Sequence, residues 1–140
     1  MPRYISTSKV RFEDCDLAGI VFYPNYIRML TRLTEDWFSE ALGVPWGIMH
    51  HERKLGFPTV DMQVSFKHAS RLDEMLEWSL EVLKLGSRSL TIGVSARCRD
   101  EERVAITMTI VSVNLVPGGI SSRVIPADIR SAMKNFLIEP

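Results

Sequence analysis

Two aspartates, Asp14 and Asp16, stand just ahead of Gly19, and an apolar stretch Ile20-Val21-Phe22-Tyr23 then leads to Pro24. In this order the residues place a carboxylate at the close of a strand, a turn containing glycine, and an approach to a helix N-terminus. The first N–H groups of a helix have no intrahelical partner and carry the positive end of its dipole behind them. Such a terminus stabilises negative charge developing on an acyl oxygen. Asp16, seven residues before Tyr23, returns close to it if the loop folds back. A carboxylate there either attacks the carbonyl or takes a proton from the attacking water, so the chemistry would be acyl hydrolysis. The same residues also read as an ordinary Asp-rich turn followed by core, because Asp favours turns before helices.

Other reactive residues are weaker signals. His50-His51-Glu52 puts two histidines side by side, a spacing from which regular structure does not aim both at one metal, and His68 has no helical or strand spacing to them. A zinc site is not expected, and His68 is expected at a surface or edge. A Gly-x-Ser-x-Gly elbow and a glycine-rich phosphate loop are both missing from the sequence, which argues against those nucleophile and nucleotide sites. Cys15 has no neighbouring histidine and lies between two carboxylates, which would raise its pKa, so it is expected to be passive.

The elements that must position Asp16 follow from hydrophobic period. Tyr4 to Glu13 mixes apolar and polar residues as a first strand. From Pro24 to Leu42 the spacing becomes helical: Tyr26, Ile27, Leu30, Leu33, Trp37, Ala41 and Leu42 recur at three and four residues, and Met29 and Phe38 widen the stripe. A helix with so broad an apolar side should be wrapped on more than one side. Pro24 suits its first turn, Asn25 is a candidate cap, and Gly43 with Pro45 ends it. Strict alternation returns in Val60–Lys67, Leu76–Val82 and Leu90–Cys98, with Leu83 and Leu85 on the opposite parity, the mark of a bulge or of a strand end covered on its other face. Val104–Val116 is a long β-branched run, and Pro126–Leu137 a short terminal helix. Breaks at Arg71–Asp73, Gly86–Arg88 and Asp100–Glu102 favour antiparallel neighbours. One strand, one long helix, four strands and a short helix predict an α+β domain spanning 1–140, a helix packed on a curled antiparallel sheet. So apolar an edge strand predicts pairing with a second copy.

Composition narrows the function classes. The 140 residues are 46% hydrophobic, and 17 Lys plus Arg balance 17 Asp plus Glu for a formal net charge of 0. One domain is expected. Neutral charge speaks against nucleic acid or an anionic membrane as partner. No apolar run approaches the ~18–20 residues that span a bilayer. The N-terminus lacks an apolar signal core and two cysteines are too few for a disulfide scaffold, so a cytoplasmic location with Cys15 and Cys98 reduced is expected.

The run Asp14-Cys15-Asp16-Leu17-Ala18-Gly19-Ile20-Val21-Phe22-Tyr23-Pro24-Asn25-Tyr26 closely resembles the signature of the 4-hydroxybenzoyl-CoA thioesterase family, within the hotdog-fold acyl-CoA thioesterase superfamily. The resemblance extends over most of the chain, since the order of elements also matches a long central helix wrapped by a five-stranded antiparallel sheet. It implies that Asp16 is the catalytic carboxylate, as nucleophile or general base, that the Tyr23 N–H is the oxyanion donor, and that Gly19 lets the loop turn tightly beside the substrate. Gly43-Val44-Pro45-Trp46 matches a family segment that places an aromatic residue after the helix, so Trp46 is a candidate for the acyl pocket or for the core. Where 4-hydroxybenzoyl enzymes of this type carry an acidic residue to receive the substrate phenol, this chain has Thr31, a departure compatible with a plain aryl or short aliphatic acyl group. Gly86-Ser87-Arg88-Ser89 occupies the place of the turn that faces pantetheine and nucleotide, making Ser87, Arg88 and Ser89 candidates for CoA contacts. Arg123 and Lys134 are further candidates for its phosphates. The resemblance thus implies a homodimeric or homotetrameric acyl-CoA thioesterase needing no metal and no cofactor, CoA being part of the substrate. The alternatives are a non-catalytic acyl-CoA-binding hotdog module and an acyl-carrier-protein thioesterase.

Overall fold

Alternation is strictest in the central strands and decides which faces are buried. The computed structural model describes residues 3–138. Strands β1 (Tyr4–Lys9), β3 (Thr59–Phe66), β4 (Met75–Leu85), β5 (Ser89–Cys98) and β6 (Glu101–Val111) form one antiparallel sheet in the order β1-β4-β5-β6-β3. Leu76, Trp78, Leu80 and Val82 of β4 face the same core as Leu90, Ile92, Val94 and Ala96 of β5. Fully burying one such side chain is worth roughly 1.5–3 kcal/mol. The expected parity change in β4 is a bulge: the register with β5 slips between Val82 and Lys84.

Helix α1 (Pro24–Asp36) lies on this sheet, burying Tyr26, Met29, Leu30 and Leu33, and continues as a wider, π-helical turn over Trp37–Ala41. Adjacent helical residues point about 100° apart, yet Trp37 and Phe38 are both fully buried. Trp37 is met by Phe136, with ring centroids 5.8 Å apart, and Phe38 by Trp46 and Phe57, each at 5.0 Å. The broad helix is therefore wrapped on more than one side. Gly43, in the left-handed region at φ 73°, ends it. Helix α2 (Ala127–Lys134) buries Ile129 and Met133.

Four local expectations are corrected. The first strand ends at Lys9, and Phe12–Asp14 is a 3₁₀ turn closed by the Arg11 N–H donating to Asp14 Oδ2 at 2.9 Å. Asn25 does not cap α1; its side chain is buried and donates to the Asp14 carbonyl at 2.9 Å. The turn expected at Asp100–Glu102 falls at Arg99–Asp100, both with positive φ. The run Val104–Val116 is two strands, broken at buried Ser112, where the chain leaves the large sheet. Its second part, β7 (Val113–Val116), pairs with β2 (Leu55–Gly56) and β8 (Gly119–Ser122) in a small sheet the sequence did not suggest. β1 and β3 are the edges of the large sheet.

Candidate active site

The loop from Asp14 to Tyr23 folds back on itself. Cys15 bridges Val21, the Asp16 N–H donates to the Ile20 carbonyl at 3.0 Å, and the Phe22 N–H donates to the Asp14 carbonyl at 2.9 Å. Gly19, at φ 77° in the left-handed region that glycine adopts without strain, closes the tip by donating to the Asp16 carbonyl at 3.0 Å. Asp16 is exposed at that tip. Its Oδ1 accepts from the Ala18 N–H at 2.9 Å, which fixes the carboxylate's rotamer, while Oδ2 has no hydrogen-bond partner among the described residues.

Three residues after the Cys15–Val21 bridge the chain enters α1. Asn25 and Tyr26 donate to the carbonyls of Phe22 and Tyr23, whereas the Tyr23 N–H has no partner among the described residues. Pro24 follows, so Tyr23 offers the last free amide before the ring. An unpaired donor at the head of a 13-residue helix is suited to an anionic oxygen.

The side chains singled out in the sequence divide among several hollows. Asp16 and Gly19 open onto one of about 480 Å³, whose other walls are Phe12, Cys15, Leu17 and Leu72. Tyr23 lines another of about 230 Å³ with Tyr26, Phe66 and His68. Thr31 and Trp46 line one apolar hollow of about 170 Å³ between α1 and β3, with Ile27, Thr34, Met62 and Met108. The Thr31 hydroxyl donates to the Ile27 carbonyl at 3.0 Å, leaving its oxygen as an acceptor. Ser87 and Arg88 in the β4–β5 turn, and Ser89 at the start of β5, lie apart from all three. There the Ser112 N–H donates to the Arg88 carbonyl at 2.7 Å, and Arg88 reaches Ser122 Oγ at 3.2 Å. Arg123 Nη1 donates to Asn114 Oδ1 at 3.3 Å, and Lys134 is exposed on α2.

The apolar lining around Asp16 escaped sequence reasoning. Phe12 reads as a strand residue in the sequence, and Leu17, whose side chain is fully exposed, gives no periodic signal inside a turn. The Cys15 thiol is pushed up by burial and then by Asp14, Asp16 and Asp73, so it stays protonated. His50 Nδ1 lies 2.8 Å from the Trp46 carbonyl and its ring sits on Trp46, while exposed His68 faces Glu101 at 3.8 Å. Among the described residues no three His, Cys, Asp or Glu side chains cluster as a metal site would require.

The model of the thioesterase-like superfamily matches residues 10–133. Over 69 residues the chain is 36% identical to the 4-hydroxybenzoyl-CoA thioesterase of Pseudomonas sp. (strain CBS-3), a match covering 49% of each chain, so about half the length of that relative. Among solved structures, a gentisyl-coenzyme A thioesterase superposes with a TM-score of 0.81 at 25% identity, covering 93% of this chain and 99% of that one. An Asp-to-Asn variant of 4-hydroxybenzoyl-CoA thioesterase, complexed with 4-hydroxybenzoyl-CoA, gives a TM-score of 0.84 at 24% identity, covering 95% and 99%. The long helix on an antiparallel sheet is shared with both.

Proposed function

We propose, because this chain belongs to the thioesterase-like superfamily, that it hydrolyses an acyl-CoA thioester to the free acid and CoA. The observation that carries this reading is that one folded-back loop bears an exposed, turn-held Asp16 carboxylate on one arm and an unpartnered Tyr23 amide on the other. The thioester oxygen sits at the head of α1, where one good oxyanion donor is worth ~3–4 kcal/mol of barrier. Asp16 then either attacks the carbonyl carbon, expelling CoA thiolate and leaving a mixed anhydride that water hydrolyses to the free acid and the restored carboxylate, or takes a proton from the attacking water and passes it to the departing CoA sulfur as the C–S bond breaks. Cys15, held protonated beside it, takes no part.

The acyl group lies in the hollow holding Thr31 and Trp46, whose size and apolar walls suit an aromatic ring such as 4-hydroxybenzoyl or a short-chain acyl group. Two of the similar proteins are a 4-hydroxybenzoyl-CoA thioesterase and a gentisyl-coenzyme A thioesterase, both acting on aryl esters of CoA. Ser87, Arg88 and Ser89 supply donors of the kind that hold amide and phosphate groups. Asp16 and Tyr23 line neighbouring but separate hollows of a single chain, and a second copy is proposed to cover the space beside them. The edge strand β3, where Val60 and Phe66 are more than half exposed, is where it would join, giving a homodimer or homotetramer. CoA is part of the substrate and no further cofactor is called for. No described helix is long and apolar enough to cross a membrane, and with the balanced charge the proposed setting is the cytoplasm, with neither nucleic acid nor membrane as partner.

The division into separate hollows also favours a second reading, a hotdog module that binds acyl-CoA without cleaving it. Thiol release from a panel of benzoyl-, 4-hydroxybenzoyl- and short aliphatic CoA esters separates the two, and an acyl-carrier-protein ester added to the panel tests the protein-linked substrate. Turnover of at least one CoA ester is expected. Binding of the panel with no thiol released would replace hydrolysis by the binding module, and a monomer by sedimentation at micromolar concentration would remove the shared site.

A further inference from the structure

The loop carrying Asp16 has little apolar anchorage of its own and leans on the 69–74 connection between β3 and β4. The Val21 N–H donates to the Ser70 carbonyl at 2.8 Å, Leu72 donates to the Gly19 carbonyl at 3.4 Å, and Ile20 bridges Arg71. The Tyr26 hydroxyl donates to Ser70 Oγ at 2.8 Å, so the same connection also touches the first turn of α1. Val10, at the root of the loop, exchanges hydrogen bonds with Asp73 and Glu74 at 2.9 and 2.8 Å. Yet within 69–73 only Ser70 is buried. Apolar packing does not hold this platform.

A guanidinium does. Arg103 on β6 is buried, and its Nη1 donates both to the Ala69 carbonyl at 2.8 Å and to Glu74 Oε1 at 2.7 Å, while Nη2 donates to Glu74 Oε2 at 3.1 Å. Its Nε lies 2.8 Å from Glu101 Oε1 as an ion pair. Glu74 Oε1 in turn accepts the Arg71 N–H at 2.7 Å. One planar fork therefore grips the first and last residues of the connection together, which a point-charged lysine cannot reproduce. We infer that Arg103, with Glu74, is a positioning residue for the reaction: it clamps the 69–74 connection so that Gly19, Ile20 and Val21 hold Asp16 in register with the Tyr23 amide. The inference rests on the function proposed above. The pair persists through ordinary pH, since the Arg103 hydrogen bonds hold the Glu74 carboxyl down to about 2. A buried ion pair adds little stability over apolar residues of the same volume, so its worth here is geometric.

The test compares Arg103→Lys and Glu74→Gln with Ile129→Val in α2, a core change away from the loop. Both clamp variants are expected to lose about 10–100-fold in kcat with KM changed less than about threefold, because displacement of reacting groups by an ångström acts on the transition state. Amide exchange is expected to quicken at Val21 and Leu72 while Leu80 and Val94, in the β4–β5 ladder, keep their protection. Ile129→Val is expected to keep its kcat even where it melts lower. A kcat within threefold of the parent in both clamp variants would overturn the inference. So would exchange quickened evenly across the sheet, or failure of both variants to melt cooperatively, either of which makes the pair structural only. If the parent chain cleaves none of the esters, the functional reading falls with it, and the exchange pattern alone decides whether Arg103 fixes the loop.

Discussion

The two ends of the central helix are built on different physics. At the back, Trp37 and Phe38 are fully buried among Phe136, Trp46 and Phe57, and apolar packing closes the core around those two side chains. At the front, Phe12, Leu17, Tyr23 and Leu72 are exposed, the Tyr23 amide is unpaired, and the loop hangs on hydrogen bonds with Ser70 and Leu72, in a connection held by a buried ion pair. The back end makes the fold and the front end is left unfinished by the chain itself. Polar struts hold groups at fixed spacing while leaving them open to a ligand, which close packing does not.

Changes at the front should therefore cost activity and changes at the back should cost stability. The largest expected effect is Asp16→Asn, a loss of roughly 10²–10⁴ in kcat with a melting temperature close to the parent's, because the side chain is exposed and the amide oxygen can still accept from Ala18. Thiol release and a thermal melt on the same sample check both halves. Trp37→Ala is its counterpart, destabilising by about 3–5 kcal/mol through the cavity left behind, with near-parental turnover in whatever fraction remains folded. Denaturant unfolding read beside kcat tests it, and a Trp37 variant that stayed folded but inactive would erase the contrast between the ends.

This contrast also explains what could be read in the sequence. Periodicity reports packing, so the back end was legible: the apolar stripe through Trp37 and Phe38, the parity change at Leu83 and the inward residues of β4 and β5 all stand where alternation put them. The front was legible only through residue types and the family resemblance. Asp14 and Asp16 look alike in the sequence, but Asp14 is buried with its carboxylate closing a 3₁₀ turn and Asp16 is exposed at the loop tip. Asn25, which reads as a cap, is spent on the Asp14 carbonyl. Ser112 has nothing around it in sequence to announce that a β-branched run stops there. These choices depend on partners far along the chain, and local pattern does not encode them.

Acidification should separate the two ends next. Glu74 has its carboxyl lowered from 4.5 to about 2, chiefly by the Arg103 hydrogen bonds. Its folded pKa lies below the unfolded one, so it adds stability above pH ~4.5 that is lost as pH falls toward 2. At about 1.4 kcal/mol per unit this is of order 3 kcal/mol, an upper figure for one group. Thermal melts between pH 6 and 2 should show this decline in the parent and a flatter profile in Glu74→Gln. An equal slope in both would place the acid sensitivity elsewhere. A smaller effect is expected from Gly19→Ala: the site has open space for a methyl group, but φ is 77°, and a non-glycine residue there costs about 1 kcal/mol. A modest drop in melting temperature, with activity reduced and not abolished, would be read from the same two assays.

The smallest expected effect is the most discriminating for the front end. Tyr23 stands at the head of α1 with its ring exposed, stacked edge-on against Phe22 and Phe66 at 5.5 and 5.9 Å, and its hydroxyl has no hydrogen-bond partner among the described residues. If the helix end works through the backbone N–H, the phenol oxygen is incidental, and Tyr23→Phe keeps both the amide and the ring contacts. Its kcat is expected within about threefold of the parent, well short of the 10²–10³ that follows loss of an oxyanion donor. Replacing the residue by proline removes that N–H while Pro24 continues to start the helix, and should bring the large loss back. A Tyr23→Phe variant as slow as Asp16→Asn would mean that a side-chain hydroxyl does the work assigned to the helix terminus. The front of α1 would then be a phenol-based site with the helix as its support.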